Sequence, residues 1–325
     1  MIVPEFWAEG RVQHKADGRQ VTVRRFGWSD VSQEEAQDRA NARAQEAMQR
    51  IWSGEKLDRR EPKVAYNGAE GVPIREEIVS RHGEVVITRN GYGALCINTP
   101  NVLFVDVDVQ EGVPRTMSCS VLGVLLLVSI GYGLVQGSWS AFMMGVAGTL
   151  ILGWWMAGWL FRLYEWFAGG AAKRARKRMH RFSSAHPDWH LRIYETPAGF
   201  RVMVLHEVFD PVDERVAECF KSLRADEVYV RMCRRQHCFR ARVSPKPWRI
   251  GIKDHLPPQR GGWPVKPELM PRRKLWVEEY EARSAVFSSC RFVEQLGSLQ
   301  LHLEAERVMR LHDDLAKAHS GLPMG

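Results

Sequence analysis

The stretch that decides the architecture is MSCSVLGVLLLVSIGYGLVQGSWSAFMMGVAGTLILGWWMAGWLF, residues 117–161, which holds no Asp, Glu, Lys, Arg or His. A helix rises 1.5 Å per residue, so about 20 apolar residues cover the roughly 30 Å of bilayer hydrocarbon. Two such pieces are present: 117–135, dominated by Val, Leu, Ile and Gly, and 141–163, which carries Arg162 only at its end. Between them Gln136-Gly137-Ser138-Trp139-Ser140 reads as a tight turn. Trp139 marks one membrane interface, and Tyr164, Trp166 and Phe167 mark the other. A helix that is apolar all round belongs in lipid or in a deep protein core. The interfacial aromatics favour lipid, and the reading is a two-helix transmembrane hairpin.

The second helix repeats small residues at every fourth position: Ala141, Gly145, Thr149, Gly153 and Ala157. Such a stripe permits close backbone approach, a main source of helix pairing in lipid. Gly123 and Gly131 offer the first helix a matching groove, and the stripe serves equally for pairing within one chain or for a homo-oligomer. Lys173, Arg174, Arg176, Lys177, Arg178 and Arg181 follow the second helix, whereas the turn is uncharged. Lys and Arg stay on the cytoplasmic side. The expectation is two spans of a plasma (inner) membrane with both termini cytoplasmic.

The chain has 325 residues, a net charge of +8 and 45% hydrophobic residues, which excludes wholesale disorder. Six scattered cysteines in so long a chain exclude a small secreted disulfide scaffold. No basic and apolar leader opens the sequence, so no cleavable signal is expected. The flanks carry mixed elements. A strand pair spans 11–28 around Asp17-Gly18, and a helix starts near Ser32, where Ser32 and Glu35 fit a capping box and Gly54 fits a stop. Strands follow at 84–89, 94–97 and 102–109, and after the membrane hairpin at 191–195 and 200–205. A helix is expected over 213–223, a loop over 253–271 and a helical tail over 276–317, broken near Gly297. The fold class is an α+β cytoplasmic domain interrupted by a two-helix transmembrane hairpin: residues 1–112 and 183–325 form the domain, and 117–163 the hairpin.

Asp106 and Asp108 lie two apart on the strand Val102–Val109, so both carboxylates face one side about 6.5 Å apart along the backbone. That pair could chelate Mg²⁺ or Mn²⁺, or simply be the solvated edge of an alternating strand. His206 follows Val202 and Val204 on one strand face and is either a base or phosphate contact near those acids, or a histidine without chemistry. Between Arg231 and Arg249 there are seven cations and no acid: Arg231, Arg234, Arg235, Arg240, Arg242, Lys246 and Arg249, with Phe239 and Trp248 interleaved. That composition suits nucleic acid or a nucleotide, suits membrane lipid headgroups, or is a solvated surface paired with acids elsewhere. Cys233, His237 and Cys238 lack the second paired motif of a zinc site. His302, His312, Asp313 and His319 lie on one helix, with His312 and His319 seven apart on one face, and read either as a solvent-facing polar face or as metal ligands. No phosphate loop, dinucleotide fingerprint or nucleophile elbow occurs.

The strand ending Phe104-Val105-Asp106-Val107-Asp108, the later strand bearing His206 and the Arg-rich segment beyond resemble the catalytic palm of archaeo-eukaryotic-type primases and primase-polymerases. The resemblance covers roughly Arg89 to Arg249 without the hairpin. It implies that the two acids bind divalent metal, that the histidine contacts an incoming nucleotide, and that Asp210 or Asp226 serves as a third acid. Two functions follow. One is a membrane-anchored module that binds an anionic partner through Arg231–Arg249; the other is a Mg-dependent nucleotidyl-transfer or phosphodiester enzyme using Asp106, Asp108 and His206. The first requires only charge and is preferred.

Overall fold

The computed structural model describes residues 1, 3–16, 18–61, 73–109, 112–258 and 263–325, without the side chains of 16, 19 and 141. Asp17, the Ala141 side chain, and residues 259–262 of the Pro- and Gly-rich loop therefore lie outside the described residues. The described chain divides into two compact units, one of Met1–Asp108 with Arg181–Gly325 and one of Val109–His180.

The first unit opens with β1 (Phe6–Ala16) and β2 (Arg19–Ser29), an antiparallel pair in unbroken register from Phe6↔Ser29 to Ala16↔Arg19. On one face lies α1 (Gln33–Trp52), started by Ser32, whose hydroxyl accepts the Glu35 N–H at 3.1 Å. The box is only half made, because the Glu35 carboxylate accepts from the Ser29 hydroxyl instead of reaching back to Ser32. Small residues on both partners set the spacing. Ala36, Ala40 and Ala44 of α1 are buried, and a Cβ at Gly10 or Gly27 would overlap the α1 backbone at Ala36 and Ala40.

Next come β3 (Glu77–His82), β4 (Val85–Arg89), β5 (Leu95–Thr99) and β6 (Phe104–Asp108). The β4–β5 turn is closed by the Asn90 side chain, which accepts from the Tyr92 and Ala94 N–H groups. After the second unit follow β7 (His190–Thr196), β8 (Gly199–Val204), α5 (Glu214–Leu223), α6 (Glu227–Gln236), β9 (Phe239–Arg242), α7 (Met270–Ser284), β10 (Arg291–Gly297) and α8 (Leu303–Ala316). Two four-stranded antiparallel sheets result, in the orders β10-β7-β8-β6 and β3-β4-β5-β9. The expected helical tail over 276–317 is corrected here: α7 ends at Ser284, and Arg291–Gly297 is a strand paired with β7. A register shift between Phe292 and Glu294 breaks the alternation that would have marked it as a strand.

The second unit holds α2 (Arg115–Gln136), α3 (Trp139–Ala168) and the start of α4 (Ala171–Ala185). Two helices, Arg115–Gln136 and Phe142–Ala168, are long and apolar enough to cross a membrane. Their outward surfaces leave Val124, Leu127, Leu134, Val135, Leu150, Ile151, Trp154 and Trp155 exposed. The small-residue stripe faces α2 of the same chain: Gly145 lies against Ser129, Gly153 against Leu122, and the Ser129 and Thr149 hydroxyls meet at 3.1 Å. Ala157 is buried as well. Gly169 and Gly170, both at positive φ, end α3 and start α4, on which Lys173, Arg176, Lys177 and Arg181 are exposed.

Candidate functional site

β6 and β9 are each the last strand of a sheet, and they run side by side. Two side chains fasten the seam. The buried Tyr229 hydroxyl donates to the Phe104 carbonyl at 3.0 Å and accepts the Arg240 N–H at 3.5 Å. Arg201, 2% exposed, donates from Nε to Asp106 Oδ1 at 2.9 Å and from Nη1 to the Arg242 carbonyl at 2.8 Å. The Asp226 N–H adds a bond to the Asp106 carbonyl at 3.0 Å while its carboxylate caps α6 through the Tyr229 N–H.

At the end of this seam the sheets bring together groups more than a hundred residues apart in sequence: Asp106 and Asp108 from β6, Arg242 from β9, and Lys246 and Arg249 from the turn after it. Burial, together with the Asp106 and Asp226 carboxylates, raises the Asp108 pKa, against the pull of Lys246 and Arg242. Burial and the neighbouring Arg242 and Arg249 lower the Lys246 pKa. Arg249 is lowered by burial and by Arg242. Like charges therefore crowd on both sides. The Arg242 Nε and Arg249 Nη1 are buried and meet no acceptor among the described residues, a costly state for charged donors. Trp248, 54% exposed, forms the rim, with Lys246 Nζ 5.3 Å from its ring centre and the Tyr92 ring at 5.3 Å.

Other expected residues lie elsewhere. His206 is corrected as a partner of the aspartates. Asp106 sits opposite Arg201 and Asp108 opposite Gly199, so the chain leaves the acids along β8, and His206 lies two residues past its last residue, Val204, and five past Arg201. At about 3.3 Å per residue that is up to roughly 16 Å of chain. There its Nδ1 accepts the His190 N–H at 3.3 Å and its ring packs against Trp189 and Phe209; burial lowers its pKa. The basic run is likewise not one surface. Arg231, Arg234 and Arg235 are exposed on α6, while Arg240 is buried against the equally buried Glu76, with which it pairs. Of the suggested third acids, Asp226 adjoins the pair and Asp210 does not: it lines a separate hollow with Asn101, Val208 and His237.

Arg201 already supplies the counter-charge to Asp106, Asp226 is turned to its helix, and among the described residues no three His, Cys, Asp or Glu side chains group to hold a metal ion. A Cys–His–Asp series is present, with Cys290 Sγ 3.9 Å from His312 Nε2 and His312 Nδ1 3.0 Å from Asp313 Oδ1. Nucleophilic chemistry needs access and a thiolate, yet Cys290 and His312 are fully buried and burial pushes the thiol up to about 11. Asp313 instead ties β7 to α8, accepting from Arg192 at 2.7 Å and from Tyr194 at 2.6 Å.

Sequence reasoning missed Arg201 and Tyr92. Arg201 had a signal: a lone charge inside the run Phe200-Arg201-Val202-Met203-Val204 must find a partner if the strand is buried. No family model, curated protein or solved structure matches this chain.

Proposed function

We propose that this is a membrane-anchored binding module whose α+β unit seats a phosphate-bearing anion at Arg242, Lys246 and Arg249. The observation that carries it is the pair of buried donors, Arg242 Nε and Arg249 Nη1, that meet no acceptor among the described residues, beside a third cation. Guanidinium forks match phosphate oxygens in geometry and charge. The exposed Trp248 beside Tyr92 offers an aromatic face on which a nucleotide base can stack. In this reading α2 and α3 form a hairpin across a plasma (inner) membrane, with both flanks in the cytoplasm. The cations after α3 and the uncharged turn support that orientation.

The test is direct. Full-length protein in zwitterionic nanodiscs is titrated with ATP, without and with Mg²⁺, following tryptophan fluorescence. Binding should occur without metal, weaken with added salt, and fall about tenfold in Lys246→Ala and Arg249→Gln. Loss of binding in Asp106→Ala or Asp108→Ala only when Mg²⁺ is present would point to the metal-dependent enzyme. Equal binding by Arg249→Gln and the parent chain overturns the proposal.

A further inference from the structure

The outward face of the β1–β2 hairpin carries a second cationic feature, unrelated to the seam. A hollow of about 350 Å³ is lined by Arg11, Gln20, Thr22, Arg24, Arg59 and Arg60. Of these six described residues four are arginines, and none is an acid. Arg11 and Arg24 are direct partners across the strand ladder, a placement in which like charges repel. Among the described residues the only ion pair any of the four makes is Arg24 with Glu9, at 3.5 Å on the surface.

Such crowding relaxes if the arginines can swing apart, but the backbone beneath them is fixed. The segment 58–61 is stitched along β2 at three successive points. Arg25 donates to the Asp58 carbonyl at 2.7 Å, the Arg24 N–H donates to the Arg59 carbonyl at 2.9 Å, and the Phe26 N–H donates to Glu61 at 3.0 Å. Arg43 from α1 holds Glu61 from behind, at 2.7 Å. On the other side of the hairpin, α1 lies too close for even a Cβ at Gly10 or Gly27. Four cations thus surround one hollow on a hydrogen-bonded backbone. The four arginines therefore start from fixed backbone positions, and several guanidinium forks suit several phosphate groups at once.

We propose that this hollow is an oligophosphate site, taking a ligand with two or more phosphate groups, supplied either as a soluble phosphate ester or as clustered lipid headgroups. It does not rest on the seam's function. The probe is inorganic tripolyphosphate, titrated by calorimetry into full-length protein in phosphatidylcholine nanodiscs. The parent chain should bind it, and Arg59→Gln/Arg60→Gln should weaken that binding about tenfold or more. Lys246→Ala/Arg249→Gln should leave this site's affinity unchanged, so failure of one site is read separately from failure of the other. Arg11→Gln, an exposed single change, serves as the second variant, with unchanged circular dichroism and melting midpoint showing that the fold persists. Repeating the titration in discs containing phosphatidylglycerol separates the sources. Weaker apparent affinity there, abolished by the arginine changes, identifies headgroups as the occupant; equal affinity identifies a soluble ligand. No tripolyphosphate binding by the parent chain, or equal binding by parent and both arginine variants, overturns the proposal.

Discussion

Arg201 Nε lies 2.9 Å from Asp106 Oδ1, and the same guanidinium donates to the Arg242 carbonyl at 2.8 Å. One buried side chain therefore joins the last strand of one sheet to the last strand of the other. It also consumes the charge of the aspartate that composition alone would have given to a metal. Because Arg242 is among the cations of the proposed anion seat, the fold's principal seam and its candidate site share a residue.

Replacing Arg201 with Lys should expose this double role. An ammonium is a compact point charge and cannot serve Asp106 and the Arg242 carbonyl through separate nitrogens of one rigid fork. We expect a loss of about 2–4 kcal/mol in urea unfolding, below the full cost of orphaning a buried pair because Asp106 is partly exposed. Arg201→Met/Asp106→Leu should be closer to the parent than either single change, since no charge is then left unpaired. A Lys variant of parental stability would mean that the fork does not hold the seam.

The contrast between what was readable and what was not follows from range. The two long apolar helices and the Asp106–Asp108 strand are legible because apolar runs and two-residue alternation are local. The end of α1 and the Asp213 cap of α5 are equally local, and the sequence marks them. The site is not local. Arg242 reaches Asp108 only because β9 pairs with β5, Arg242 opposite Cys96, a register that no short window encodes. His206 failed for the same reason: the strand before it was readable, but neither its end at Val204 nor its antiparallel direction relative to β6, which carries His206 away from the acids, was. The charge run 231–249 looked like one patch because charge has no period. The left-handed turn at His237 ends α6 and sends Arg240 inward to Glu76.

Acid should destabilise the protein in two steps, both of one sign. His312 is fully buried, and burial, partly opposed by Asp313, lowers its pKa. The unfolded chain takes up that proton near pH 6.5 while the native state does not, so stability present above about pH 6.5 is lost as pH falls. His206, lowered chiefly by burial, adds to the same slope. Asp313 is held well below the ordinary carboxylate range, its burial outweighed by hydrogen bonds from His312 and Tyr194 and by the charges of His312 and Arg192. Its contribution persists above about pH 4 and disappears as pH falls towards the depressed native value. In denaturant titrations between pH 7 and 5, His312→Gln should show a shallower dependence by up to about one proton. An unchanged slope would mean that His312 is protonated in the native state.

The helix hairpin supplies the last expectation, with its own control. A Cβ at Gly145 would stand 2.8 Å from the Ser129 Cβ, whereas a Cβ at Gly148 on the same helix meets nothing within 4 Å. Gly145→Leu should therefore force α2 and α3 apart, and overpacking of this kind costs about 1–3 kcal/mol. Gly148→Leu should be near neutral, because a side chain there meets no neighbouring helix. Thr149→Val removes the 3.1 Å hydroxyl contact with Ser129, worth about 0.5–1 kcal/mol in a membrane. Melting midpoints of the full chain in matched detergent micelles, compared across the three variants, decide the matter. Equal midpoints for Gly145→Leu and Gly148→Leu would place the helix contact on some other face of α3.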